Sequence, residues 1–383
     1  MHPFVFKPVQ LPDSTDALRQ QIRRFLQTEI DRGSFVPSRN SWSNTNPEFS
    51  RQCGQAGFIG MVWPKRYGGH ERSALERYVM TEEMLAAGAP VGAHWVADRQ
   101  SGHQILRHGS ERARQTILPR IAAGECYFAI GMSEPDSGSD LAAVRTRAVA
   151  CDGGWKISGT KVWTSYAHHC HYLIALARTS PKEEDRHAGM TQFIVDLSQP
   201  GVSLRPILNI YGAHDWNEVV FDDYFVPDDM VMGAVGAGWG MVTSELSYER
   251  SGPDRFLSTY QLLIESIRQL GPDPDTRALN EIGRLVAHLA TLRRMSTSVA
   301  GMLEEGAKPT LEAALVKDVG TTFEREIPEV FRHLLPCEPI MDDDSSDYEA
   351  LLGMGMLKSP GFTLRGGTRE ILRGMIAKGL GLR

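Results

Sequence analysis

Residues 155–165 read WKISGTKVWTS. Apolar and polar residues alternate here, so Val162 and Thr164 would share one face of a strand, and Trp163 and Ser165 the other. The same period of two continues in YLIALART (172–179), TQFIVDLS (191–198), VSLRPILNI (202–210) and NEVVFDDYFVP (217–227), each bounded by Gly, Pro, Asn or Asp. No helical pattern lies between these runs. From about Tyr127 to Met232 the chain therefore reads as an antiparallel β barrel or sandwich.

Outside this region the period becomes helical. DSTDALRQQIRRFLQTEI (13–30) opens on cap-like Asp13 and Ser14 and then repeats Leu18, Ile22 and Leu26. Asn46-Pro47 reads as an N-cap and first helical position, with the helix running to about Gly57 and the WPKRYGG turn (63–69) beyond it. SALERYVMTEEMLAAG (73–88) and SERARQTILPRIAAG (110–124) each end on a glycine. GAVGAGWG (233–240) lacks the GxGxxG spacing and reads as a hinge. Helical patterns then return near 239–270, 275–304 and 309–335, with a shorter one from Thr368. MDDDSSD (341–347) reads as a solvated loop. The expected class is α+β: an N-terminal helical domain over 1–126, the middle β domain over 127–233, and a C-terminal four-helix bundle over 234–383.

The 383 residues carry 41 Lys and Arg against 47 Asp and Glu, a formal charge of −6 that argues against nucleic acid or an anionic membrane as partner. No apolar run approaches the roughly 20 residues that span a bilayer, and the start lacks a signal-peptide core. Cys53, Cys126, Cys151, Cys170 and Cys337 are scattered and odd in number, which fits a reducing compartment; a cytoplasmic protein is expected.

Several stretches could carry chemistry. MSEPDSGSD (132–140) offers small side chains and free N–H groups that can approach a phosphate or a planar ring, although composition alone favours a polar turn between elements. Trp163 beside Ser165 could wall a flat cofactor or be a core tryptophan. RGGTREILR (365–373) sets two glycines before an N-cap, Thr368, with Arg365, Arg369 and Arg373 on one face if the turn continues; a capped surface helix explains it as well. In HHCH (168–171), His169 and His171 would share a strand face, but no second ligand cluster stands at zinc spacing, and no metal is expected.

Together these stretches resemble the acyl-CoA dehydrogenase family. SEPDSGSDL, GTKVWTS, WNEVVFDDYFVP and RGGTREILRGMIAKGLG are similar to that family's motifs in the same order. The resemblance implies a three-domain fold, FAD as cofactor, and an acyl-CoA thioester as substrate. It places Met132 and Ser133 at the flavin ring and Trp163 and Ser165 beside it. Gly138 and Ser139 come near cofactor or CoA phosphates, and Thr368 and Glu370 touch FAD. Ser139, Tyr248 and Arg250 fall on the substrate side. The implied reaction removes the α-proton to a carboxylate while the β-hydride goes to flavin N5, with the thioester oxygen held by hydrogen-bond donors.

Many members carry the base just before the Gly-Thr of the C-terminal motif, where this chain has Gly366. A minority branch, including isovaleryl- and long-chain-type enzymes, carries it in an ER pair on the first bundle helix, and Glu249-Arg250 in SELSYERSG (244–252) matches that pair. The position also interrupts the apolar stripe Trp239, Val242, Leu246, Pro253, Phe256, Tyr260 and Leu263. Read so, Glu249 is the base, its pKa raised by burial, and Gly366 offers its N–H to the thioester oxygen. Without the resemblance, Glu249 reads as an ion pair with Arg250 or Arg255.

The family's interface segments are missing. GPDPDTRALNEIG (271–283) and FRHLLPCEPIM (331–341) stand where common homotetramers grip FAD across subunits. This resembles a bacterial branch acting on bulky, steroid-type thioesters, some of them heteromers. The expectation is a homodimer, a homotetramer or a heteromer with a related subunit, with an electron-transfer flavoprotein as acceptor. An acyl-CoA oxidase, a flavin monooxygenase or a cofactor-holding partner subunit remain alternatives. Residues around His94, Trp95 and Arg99 would set acyl specificity.

Overall fold

Side-chain caps define many of the helix starts. Asn46 Oδ1 accepts from the Phe49 N–H at 3.0 Å, Ser110 Oγ from the Ala113 N–H at 3.0 Å and Asp275 Oδ1 from the Ala278 N–H at 2.7 Å. Ser73 with Glu76, and Ser346 with Glu349, form capping boxes. The computed structural model describes residues 4–37, 41–181, 184–340, 342 and 345–382, and of residues 245–249 the backbone alone.

In chain order the helices are α1 (Ser14–Asp31), α2 (Pro47–Gln55), α3 (Ala74–Ala86), α4 (Gly92–Val96), α5 (Gly102–His108) and α6 (Glu111–Ala122). The strands are β1 (Phe128–Gly131), β2 (Arg147–Cys151), β3 (Gly154–Ser165), β4 (Tyr172–Arg178), β5 (Met190–Asp196), β6 (Val202–Leu208), β7 (His214–Pro227) and β8 (Val231–Met232). After them come α7 (Gly238–Glu249), α8 (Tyr260–Leu270), α9 (Thr276–Glu304), α10 (Thr310–Leu334), α11 (Asp347–Phe362) and α12 (Arg369–Gly379). Helical, sheet and helical segments thus follow one another as the patterns imply.

By contacts the chain divides into two units. The bundle unit takes Met1–Asn44, Arg72–Val91 and Leu246–Arg383; the sheet unit takes Thr45–Glu71 and Gly92–Glu245. In the bundle unit α10 packs against α8, α9, α11 and α12. Its buried Ala313, Val316, Phe323, Ile327 and Phe331 follow helical spacing, and α9 buries Ala278, Leu285, Leu292 and Val299 at steps of seven. Gly320 on α10 leaves room for the Arg255 carbonyl to approach.

In the sheet unit the strand order is β6-β7-β3-β2-β4-β5-β8, with β1 added on β4. The pairings are antiparallel except β1 with β4 and one bridge between β2 and β4. One core gathers Ile157, Leu173, Phe193, Val195, Val219 and Phe221. A second gathers Val144, Leu176, Met190 and Val242, with Met132 and Trp239 packed on it.

Tertiary structure departs from the periodicity at several points. The stripe from 239 to 270 is not one helix: α7 ends at Glu249, a 3-10 turn covers Pro253–Arg255, and α8 starts at Tyr260. Pro253 has no N–H for the carbonyl four residues back, and Gly252 is extended (φ −73°, ψ 164°) as a residue before proline prefers. Asp13 has helical dihedrals and makes no side-chain cap. Residues 167–169 form a 3-10 turn, so His169 and His171 do not share a strand face. The segment DYEALLGMGMLKSPGF, unassigned from its periodicity, forms α11 because Ser346 caps it and its Tyr348, Leu352 and Gly355 pack inward. Of the expected acidic loop, residues 341, 343 and 344 lie outside the described residues. Arg365 precedes α12 rather than lying on its face, while Arg369 and Arg373 both approach Asp318, at 3.8 and 3.0 Å.

Candidate active site

The sheet unit assembles the loop and strand that carry its expected site residues. β3 pairs with β7 from Lys161↔Val219 to Thr164↔Asn217, three steps on one strand against two on the other. This β-bulge breaks the alternation. Lys161 and Thr164 point inward, whereas Trp163 (φ 60°) stays 59% exposed and Ser165 is exposed too. A bulky non-glycine residue with left-handed φ is held there by its surroundings, and such outliers gather at functional sites. The Trp163 ring meets Trp216 edge-on, with centroids 5.9 Å apart.

The 132–140 loop is pinned beside this bulge. Val162 N–H donates to Ser133 O at 2.9 Å. Lys161 Nζ donates to Glu134 Oε1 at 2.7 Å and to Met132 O at 3.2 Å. Glu134 also accepts from the N–H groups of Arg145 (2.6 Å) and Thr146 (2.9 Å). Burial alone would raise the Glu134 carboxyl, but the Lys161 charge and these hydrogen bonds hold it below its ordinary range. Gly138 and Ser139 are exposed, and a side chain at Gly138 would meet nothing within 4 Å. The hydroxyls of Ser133, Ser139 and Ser165 make no hydrogen bond among the described residues.

The sheet unit also carries the residues expected to set acyl specificity. His94 is buried, with its Nδ1 2.8 Å from Ser50 Oγ, and burial pushes its pKa down to about 4. The Arg99 guanidinium lies over the Trp95 ring at 5.2 Å. Residues 97–101 form a π-helical turn, a form common near functional sites.

In the bundle unit the RGGT turn is built from two left-handed glycines, Gly366 (φ 66°) and Gly367 (φ 96°). Arg250, buried, donates from Nε to Gly366 O at 3.4 Å and lies 3.3 Å from Met375 Sδ. Lys317 donates to Gly367 O. Thr368 caps α12, accepting from the Ile371 N–H at 3.4 Å. Its own N–H and the Thr368 hydroxyl keep the exposed Glu370 carboxyl below its ordinary range. Glu249 is the last residue of α7; its side chain and that of Tyr248 lie outside the described residues.

Sequence reasoning singled out Arg250 and Gly366 but not Lys161, Lys317 or Glu134. The available signal for Lys161 was a charged residue at the same phase of the alternation as buried Ile157. Among the described residues no group of three or more His, Cys, Asp or Glu side chains is placed to hold a metal, and no helix is long and apolar enough to cross a membrane.

An exposed indole at a bulge, hydroxyls without partners among the described residues, and an open glycine form a set that fits a flat heteroaromatic ring bearing phosphates. The descriptions of the acyl-CoA dehydrogenase N-terminal and middle domains match residues 12–125 and 129–224. The acyl-CoA dehydrogenase FadE29 of Mycobacterium tuberculosis is 33% identical over 342 residues, 85% of this chain and 86% of that protein. FadE34 of the same organism is 32% identical over 341 residues, 87% of this chain and 46% of the relative, so the chain spans about half of FadE34. The solved structure of the Tcur3481-Tcur3483 steroid ACAD matches with a TM-score of 0.86 at 25% identity, covering 98% of this chain and 99% of that one. The ChsE4-ChsE5 complex from Mycobacterium tuberculosis matches at 0.83 and 27% identity, covering 98% and 100%. The chain belongs to the acyl-CoA dehydrogenase family, whose members are FAD-dependent oxidoreductases.

Proposed function

We propose that this chain catalyses α,β-dehydrogenation of an acyl-CoA thioester, with Glu249 as the base that removes the α-proton. The observation that carries this reading is the bond from Arg250 to Gly366 O. Consecutive Cα atoms are about 3.8 Å apart, so the segment ending in Glu249 is tethered to the RGGT turn. Gly366 cannot abstract a proton, but its backbone N–H can hold the thioester oxygen as charge develops there. A glutamate closed off from water has the raised pKa that a base near neutral pH needs.

Met132, Ser133, Trp163 and Ser165 would hold the ring of FAD, Gly138 and Ser139 its phosphates or those of CoA, and Thr368 and Glu370 its C-terminal side. Bound FAD supplies the two-electron acceptor for the β-hydride. Tyr248, Arg250 and Ser139 lie on the substrate side, with an electron-transfer flavoprotein as acceptor. The five free cysteines agree with a reducing, cytoplasmic setting.

A bulky thioester is the favoured substrate class, supported by the likeness to a steroid ACAD. A second reading of assembly follows from the likeness to the ChsE4-ChsE5 complex and from the absent interface segments: this chain is the base-bearing subunit of a heteromer whose partner completes the FAD site.

The test is the visible spectrum of the purified chain, alone and co-expressed with a related chain, followed by anaerobic addition of straight-chain, branched and steroid-type acyl-CoAs. Bleaching by one thioester is expected. A flavin that no thioester bleaches overturns the dehydrogenase reading, and rapid oxygen consumption by the reduced form makes the chain an oxidase.

A further inference from the structure

Lys161 is 0% exposed and its partner Glu134 is buried as well. Burying an ion pair is a poor way to gain stability, because desolvation offsets most of the attraction and an apolar pair of the same volume usually serves as well. Here burial lowers the Lys161 pKa to about 8 even with Glu134 attracting the charge. The pair therefore needs a reason other than stability.

Its contacts supply one. The Lys161 ammonium reaches both Met132 O and Glu134 Oε1, and the next residue, Val162, holds Ser133 O through its N–H. Three consecutive loop residues are thus tied to two consecutive strand residues, and the following strand residue is Trp163 on its bulge. Glu134 extends the tie to the backbone of Arg145 and Thr146. An ammonium can satisfy a carbonyl and a carboxylate together; an apolar side chain would take this donor from Met132 O and leave the buried Glu134 charge with its two backbone donors but no cation.

We propose that Lys161 is a positioning residue for the cofactor: through Glu134 and Met132 it holds the 132–134 loop and the Trp163 indole in the single arrangement that receives the flavin. The inference rests on the flavin reading given above. Its consequence is pre-organisation, so that little ordering remains to be done when FAD binds.

The test compares wild type with Lys161→Met/Glu134→Gln, which removes both charges at nearly constant volume, in whichever form, alone or with its co-expressed partner chain, the wild type holds FAD. Far-UV circular dichroism establishes that the variant folds. FAD affinity is expected to fall by about tenfold or more, with an altered flavin absorption band. A folded variant with wild-type affinity and spectrum overturns the positioning role while leaving the flavin reading intact. A wild type that holds FAD in neither form overturns the flavin reading, and this inference with it. Should the variant not fold, amide exchange on FAD-free wild type decides. Slow exchange of the Val162 N–H supports a pre-set loop; exchange that slows only after FAD is added overturns it.

Discussion

Arg250 donates its Nε–H to the carbonyl of Gly366 at 3.4 Å, across 116 residues of sequence. The bond joins the residue after the proposed base to the turn proposed to hold the thioester oxygen. Lys317 on α10 secures the next carbonyl, that of Gly367. Two cations thus cradle a turn that only glycine adopts without strain.

Gly367→Ala should therefore destabilise the bundle. Its φ is 96°, and a Cβ there would stand 3.2 Å from Arg250 Nη2. A left-handed non-glycine residue costs roughly 1–2 kcal/mol. Urea unfolding should show a loss of that size; unchanged stability would mean the turn relaxes without cost.

Glu249→Gln should keep its flavin and lose the half-reaction. Removing a general base slows a step by about 10²–10⁴-fold. Stopped-flow bleaching under anaerobic conditions measures this directly. A variant that bleaches at the wild-type rate assigns the proton to another group.

Trp163→Ala separates binding from folding. The indole is 59% exposed, so stability should change by no more than about 0.5 kcal/mol. FAD affinity should fall by up to about tenfold if a ring stacks on the indole, since aromatic pairs contribute about 0.5–1.5 kcal/mol. Fluorescence titration with FAD reads the affinity.

Two buried groups give opposite pH dependences. Burial pushes Glu324 up to about 7, although Arg365 attracts its charge from 3.8 Å and the Ser258 N–H donates to it at 2.7 Å. The folded chain keeps this proton to higher pH than the unfolded chain, so the stability it contributes is full below the unfolded value and is lost as pH rises through about 7. Glu324→Gln should flatten that slope and raise stability at pH 8 by roughly 1–3 kcal/mol. His94, at about 4 when folded, behaves in reverse: its contribution is full above the unfolded value near 6.5 and is lost as pH falls toward 4. His94→Gln should remove that loss. Denaturant midpoints at pH 5 and pH 8, each variant against wild type, check both signs; a slope left unchanged in either variant shows that the group does not carry it.

The sequence by itself was enough for the order of helical, sheet and helical segments, because periods of two and of three to four are set by strand and helix geometry. The caps Asn46 and Thr368 were legible too, since a cap is satisfied within a few residues of itself. Glycine at 366 and glutamate at 249 could be singled out through the resemblance of their motifs to the family's. Tertiary structure alone decided that Trp163 sits on a bulge, that Arg250 reaches Gly366, and that Lys161 and Glu134 meet. Each of those depends on a backbone carbonyl, a strand register or a buried partner supplied from far along the chain, and burial fixes such pairings only when the chain has packed.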